Sequence, residues 1–165
     1  MLINQDIVLA GQGHPVVDID WGLRCEKVIT FAGGTTDAWG DHDGALDGAA
    51  VFTITGTVLL RVVGIVETTL VGAATIELGV TGATAVLLPQ VADASGMAAG
   101  EIWHMTDANV DAKVEASSVL IEKIVANGLD AILTLGSANV TASKIRFLAA
   151  WYPLSQNGLV VPSTN

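Results

Sequence analysis

The densest polar stretch of the sequence is TTDAWGDHDGALDG, Thr35 to Gly48, which gathers Asp37, Asp41, His42, Asp43 and Asp47. Hard cations such as calcium require several carboxylate oxygens and a glycine that permits a sharp turn, and Asp41, Asp43 and Gly44 follow the opening of such a loop. The match then fails, because Ala45 stands at the fifth position and no glutamate closes the loop at the twelfth. Two readings remain: a weakly held calcium on Asp41, Asp43 and Asp47, or a solvated acidic loop built from ordinary turn residues.

Other chemistries lack their parts. His14, His42 and His104 are far apart and show no paired-histidine zinc spacing. No G-x-S-x-G elbow surrounds a serine, and no glycine-rich loop ends in the lysine and hydroxyl residue that hold a nucleotide phosphate. Glu67 with Glu77, or Glu101 with Asp107, could flank a glycosidic bond, although an acidic protein places such pairs on its surface without that purpose. Cys25 is the single cysteine, which excludes an internal disulfide and reads as a small buried hydrophobe. Of the four tryptophans, Trp21, Trp39, Trp103 and Trp151, the last follows inward-type residues and reads as core. Trp39, inside the acidic glycine-rich loop, is the candidate for touching a partner. No catalytic residue and no cofactor is expected.

These residues must be positioned by strands. From Phe52 to Val66 the even positions are Phe, Ile, Gly, Val, Leu, Val, Gly and Val, while Thr53, Thr55, Thr57 and Arg61 share the other face. That period of two, rich in β-branched residues, predicts one long curved strand or two, with Gly56 and Gly64 marking bends or bulges. Ile76, Leu78 and Val80 repeat the pattern, as do Ile145, Phe147, Ala149 and Trp151. Further strands are expected at Pro15 to Ile19, Arg24 to Phe31, Ala85 to Leu88, Glu101 to Met105, Val119 to Val125 and Ala131 to Leu135. Asn127-Gly128 predicts a hairpin joining the last two, since both residues tolerate positive φ. Gln90 to Gly100 resists the strand reading and is expected to be a short helix or ordered loop. The result is a mainly β protein, an antiparallel sandwich or jelly-roll-like single domain. An extended N-terminal segment is expected at 1–23, the sandwich at 24–155 and a fraying tail at 156–165.

Composition narrows the partners. The chain has 165 residues, enough for one core, and 51% of them are hydrophobic, yet no apolar run reaches the ~18 residues of a membrane helix. The opening MLINQDIVLAG makes a poor secretory signal, so synthesis in a cytoplasm is expected. With 17 acidic against 7 basic residues the net charge is −10, and the cations look scattered along the chain. Neither the nucleic-acid backbone nor an anionic membrane is an expected partner.

Two stretches add a resemblance. IELGVTGATAVLLPQVADASGMAAGEIWHM, Ile76 to Met105, and VTASKIRFLAAWYPLSQNGLV, Val140 to Val160, resemble small phage-encoded β proteins of virion structural and head-decoration type. The recognisable pieces are IELGV, GEIWHM and WYPLS, strands and turns without reactive groups. The resemblance implies a non-enzymatic protein on the exterior of a capsid, bound to the major capsid protein and to itself, with a homotrimer as the expected form. The N-terminal segment and the acidic loop lie outside it. The alternative is a carbohydrate-binding β-sandwich of a tail or head fibre, using Trp39 or Trp103 with calcium on Asp41 and Asp43.

Overall fold

A computed structural model of the chain describes residues 22–35 and 37–165. The expected strand at Pro15 to Ile19 and most of the expected N-terminal segment lie outside the described residues. Among the described residues ten strands follow in chain order: β1 (Leu23–Phe31), β2 (Ala49–Thr55), β3 (Val58–Val71), β4 (Thr75–Val80), β5 (Ala83–Val91), β6 (Ile102–Trp103), β7 (Lys123–Val125), β8 (Ala131–Gly136), β9 (Ala142–Pro153) and β10 (Leu159–Pro162). Gln90 and Val91, expected in the loop, close β5, and the loop after them carries one 3-10 turn at Ala94–Gly96.

The strands form two antiparallel sheets. Sheet A runs β1-β9-β3-β6, with β7 beside β3 next to β6's end of the same edge, and sheet B runs β10-β2-β8-β4-β5. The pairing is nested: β1 with β9, β2 with β8, β3 with β6 and β7, β4 with β5. Outer strands of the sequence thus pair around inner ones, which is how a jelly roll closes two sheets over one core. The mainly β, sandwich expectation holds.

Period-two patterning produces that core. In β3 the even residues Val58, Leu60, Val62 and Val66 face inward and are buried, and β9 answers with Ile145, Phe147, Ala149 and Trp151. Sheet B contributes Phe52, Ile54, Ile76, Leu78, Leu133 and Leu135. Each large aliphatic or aromatic side chain so buried contributes roughly 1.5–3 kcal/mol before the entropy of ordering is charged against it. Trp103 ties the layers together: its indole N–H donates to the Pro89 carbonyl at 3.1 Å, and its ring meets Phe147 at 6.1 Å between centroids.

Several expectations need correction. Gly56, with φ +64°, ends β2 and turns the chain from sheet B into sheet A, so Thr53 and Thr55 do not share a surface with Arg61. Gly64 is no bulge; it stays in register opposite Trp103, and the irregularities come later, after Val66 and Thr68. Asn127 and Gly128 have the positive φ expected of them, 59° and 65°, but the turn crosses from β7 in sheet A to β8 in sheet B and makes no hairpin. The strand expected over Val119 to Val125 shrinks to Lys123–Val125, with a 3-10 turn at Ser117–Val119 before it. The fraying tail is also wrong. Leu159–Pro162 pairs with β2, Val160 is buried, and the Lys27 ammonium on β1 donates to the carbonyls of Ser163, at 2.8 Å, and Asn165.

Candidate functional site

The acidic loop is a structural clamp. The Gly33 N–H donates to the Val140 carbonyl, and the Val140 N–H donates to Gly40, both at 2.8 Å. The His42 backbone N–H donates to Asn139 Oδ1 at 3.0 Å, and its ring Nδ1 lies 2.7 Å from the same oxygen. Nε2 faces Asp43 at 3.1 Å. The Asn139 contact raises the His42 pKa above its ordinary value, desolvation opposes it, and the carboxylates of Asp43, Asp41 and Asp47 add to the rise.

The three candidate calcium ligands point to different tasks. Asp47 accepts the Leu135 N–H at 2.8 Å and so braces β8, and partial burial raises its pKa. Asp43 pairs with His42, while Asp41 accepts from the Asp43 N–H at 3.4 Å as part of a local turn. Among the described residues no three His, Cys, Asp or Glu side chains are gathered as a metal would require. Trp39 is also misplaced by the sequence reading: it is only 7% exposed and belongs to the core, because the Ala32 N–H to Trp39 carbonyl bond folds the loop back over Phe31. Trp103 is fully buried. The carbohydrate alternative therefore loses both aromatic platforms it named; Trp151 is core, as expected.

The paired carboxylates are likewise occupied. Glu67 Oε1 accepts from Arg146 Nε at 2.7 Å and Nη2 at 2.6 Å, Glu77 accepts from Gln90 at 2.8 Å, and Glu101 accepts the Ala98 N–H at 2.6 Å. His104 is buried, with Thr106 against Nδ1 and Glu115 at 3.4 Å from Nε2. Burial raises the Cys25 thiol to about 11, which makes it a poor nucleophile at neutral pH.

What sequence reasoning missed is a surface. No family model, curated protein or solved structure matches the chain, so that surface stands on its own geometry. The water-facing side of a sandwich sheet ordinarily alternates to polar residues, and sheet B does so with Thr53, Thr55, Thr134 and Glu77 pointing out, although Leu159 and Val161 of β10 are exposed beside them. Sheet A presents a mixture. Its outward positions are the half-buried Leu59, Val63 and Ile65 on β3, half-buried Leu148 and Tyr152 and buried Ala150 on β9, and exposed Val28 on β1 and Ile124 on β7, set among Arg24, Glu26, Arg61, Glu67, Lys144 and Arg146. The register places them in rows: Leu59 between Tyr152 and Ile124, and Val63 beside Leu148. Ile124 is 67% exposed.

The cations gather on the same sheet. Of the seven Lys and Arg, six lie on strands of sheet A: Arg24, Lys27, Arg61, Lys123, Lys144 and Arg146. The apparent scatter along the sequence disappears because β1, β3, β7 and β9 are distant in the chain and adjacent in the sheet. Arg24 and Arg61 flank Ala150 in one row, above an apolar cleft of about 180 Å³ that Leu120, Leu148 and Val63 also line. Arg146 bridges Glu67 and Glu26 across three strands, the latter at 3.3 Å, and Arg61 Nε lies 3.7 Å from Glu122. The signal that could have found this face is the odd positions of β3, where leucine, valine and isoleucine occupy the outward half of the alternation.

Proposed function

We propose that this chain is a non-catalytic assembly protein, a decoration protein on the exterior of a phage head that binds the major capsid protein and strengthens the shell. The observation that carries the reading is the outer face of sheet A, where exposed Val28 and Ile124 and half-buried Leu59, Val63, Ile65, Leu148 and Tyr152 stand among arginines and glutamates on a sandwich whose own core is already filled, the mixture of apolar and arginine side chains found where proteins meet. The resemblance of Ile76 to Met105 and Val140 to Val160 to head-decoration proteins supplies the setting. The polar side chains that could have formed a reactive centre are engaged in bracing loops, as Asp47, Glu101 and His42 show.

Copies added to an assembled lattice reinforce it because many modest contacts act together at high effective concentration. Shells lacking the protein should assemble and then open at lower temperature or lower osmotic stress. The direct measurement is sedimentation of purified protein with such shells. Co-sedimentation with a rise in shell melting temperature is expected, and no binding at any stage of shell maturation would remove this reading.

A further inference from the structure

We infer, resting on the reading that the outer face of sheet A is the contact face, that the cleft over Ala150 is its anchor point and takes one aliphatic side chain of the partner protein together with a neighbouring carboxylate. The cleft exists because of one small residue. Ala150 lies between Arg24 of β1 and Arg61 of β3 in the register, and the adjoining outward row carries Leu148 beside Val63. A methyl group among such long neighbours leaves a hollow of about 180 Å³, which Leu120, just after the 3-10 turn Ser117–Val119, also lines.

Size and charge specify the occupant. Pockets that hold a whole drug-sized ligand run to roughly 300–1,000 Å³, so this hollow has room for a single side chain. Its apolar walls, Val63, Leu148, Leu120 and Ala150, suit the buried anchor residue on which contact energy concentrates. The rim is cationic, on a molecule whose net charge is −10. Arg24 is exposed, and among the described residues no carboxylate lies within ion-pair distance of it. Glu26, next on the same face of β1, is drawn to Arg146 at 3.3 Å, and Glu122 lies 3.7 Å from Arg61. A planar guanidinium beside an apolar hollow matches a carboxylate carried close to an aliphatic group. A long acidic run is disfavoured, because the remainder of the molecule repels it, and a basic segment would leave Arg24 unmatched. The occupant is therefore a side chain of leucine or isoleucine size on the shell protein, next to a single carboxylate.

The test uses N-acetyl-leucine, which joins an aliphatic side chain to a carboxylate, titrated into the isotope-labelled full chain up to about 50 mM and followed by NMR, since a ligand of that size binds in the millimolar range. Saturable shifts grouped on Arg24, Leu120, Leu148 and Ala150 are expected. N-acetyl-leucine amide, which lacks the carboxylate, should bind about fivefold more weakly, the upper range for an exposed ion pair. N-acetylglycine, which lacks the side chain, should lose at least about tenfold, as for an aliphatic group left unburied. Ala150→Leu fills the hollow and should abolish the shifts. Arg24 is exposed, so Arg24→Gln keeps the wild-type circular dichroism and melting even if Ala150→Leu does not fold, and it should bind acid and amide alike. No saturable shift, shifts centred elsewhere, or equal affinity of the wild type for acid and amide overturns the inference. Shell co-sedimentation separates the two claims: shells that bind wild type and Arg24→Gln equally sink the anchor and leave the proposed function, whereas a chain that seats the probe as described and ignores shells keeps the cleft and loses the decoration reading.

Discussion

At Gly40 and Gly72 the backbone has φ of +105° and +124°, and a Cβ at either would overlap a carbonyl, that of Val140 or of Asn139. Gly34 has the same φ as Gly40 but open space around it. Alanine at 40 or 72 should therefore lower stability by well over ~1 kcal/mol in denaturant unfolding, and alanine at 34 by about 1 kcal/mol, the backbone cost alone. His42 adds a pH signature. Its folded pKa is raised above 6.5, so protonation is favoured by the fold, and the stability it contributes is present below the unfolded pKa and fades as pH rises through the folded one. Asn139→Ala should flatten that slope in melting curves taken from pH 6 to 8, a window flagged only by the ordinary titration range of histidine, roughly 5 to 8. Asp47 behaves oppositely to a paired carboxylate: burial raises its pKa, so its ionised form costs stability once pH exceeds the folded value. Asp47→Asn keeps an oxygen for the Leu135 N–H and sheds the charge, and should melt at the same temperature or higher at pH 7. Because Asp41, Asp43 and Asp47 serve separate contacts, millimolar calcium and chelator should give equal melting temperatures; a rise with calcium would restore the metal reading.

The strands show where local pattern informs and where it stops. Alternation in β3 and β9 is readable because one side of each strand is packed in a filled core, and a one-residue slip would expose Phe147 or Leu60. The partner of each strand is not readable: β1 joins β9 across most of the chain, and nothing local announces it. Asn127-Gly128 illustrates the gap, since positive φ was legible in the residue types but the same dihedrals serve a crossing between sheets as well as a hairpin. β10 was missed for a related reason. Leu159–Pro162 is too short for periodicity, and its order comes from β2 and from Lys27, far away in sequence. Val160→Asp should accordingly destabilise the whole sandwich by several kcal/mol, as expected for an unpaired charge forced into a buried site, measured by chemical unfolding. Among the site residues, the acidic cluster drew attention through its density, whereas the mixed face of sheet A was dispersed over four strands and became a surface only on folding.

For the whole molecule, the placement of the tryptophans has an optical consequence. Trp39, Trp103 and Trp151 all sit inside the core, and none belongs to the outward rows of sheet A. Their emission should therefore be that of indoles shielded from water and should change when the core opens, while association through the outer face leaves it nearly still. With Trp21→Phe removing the remaining indole, the variant carries its own label-free gauge of unfolding. A fluorescence transition that coincides with the release of subunits from a shell would mean that leaving the lattice unfolds the protein. A release that passes without a colour change would mean that subunits depart intact and can return.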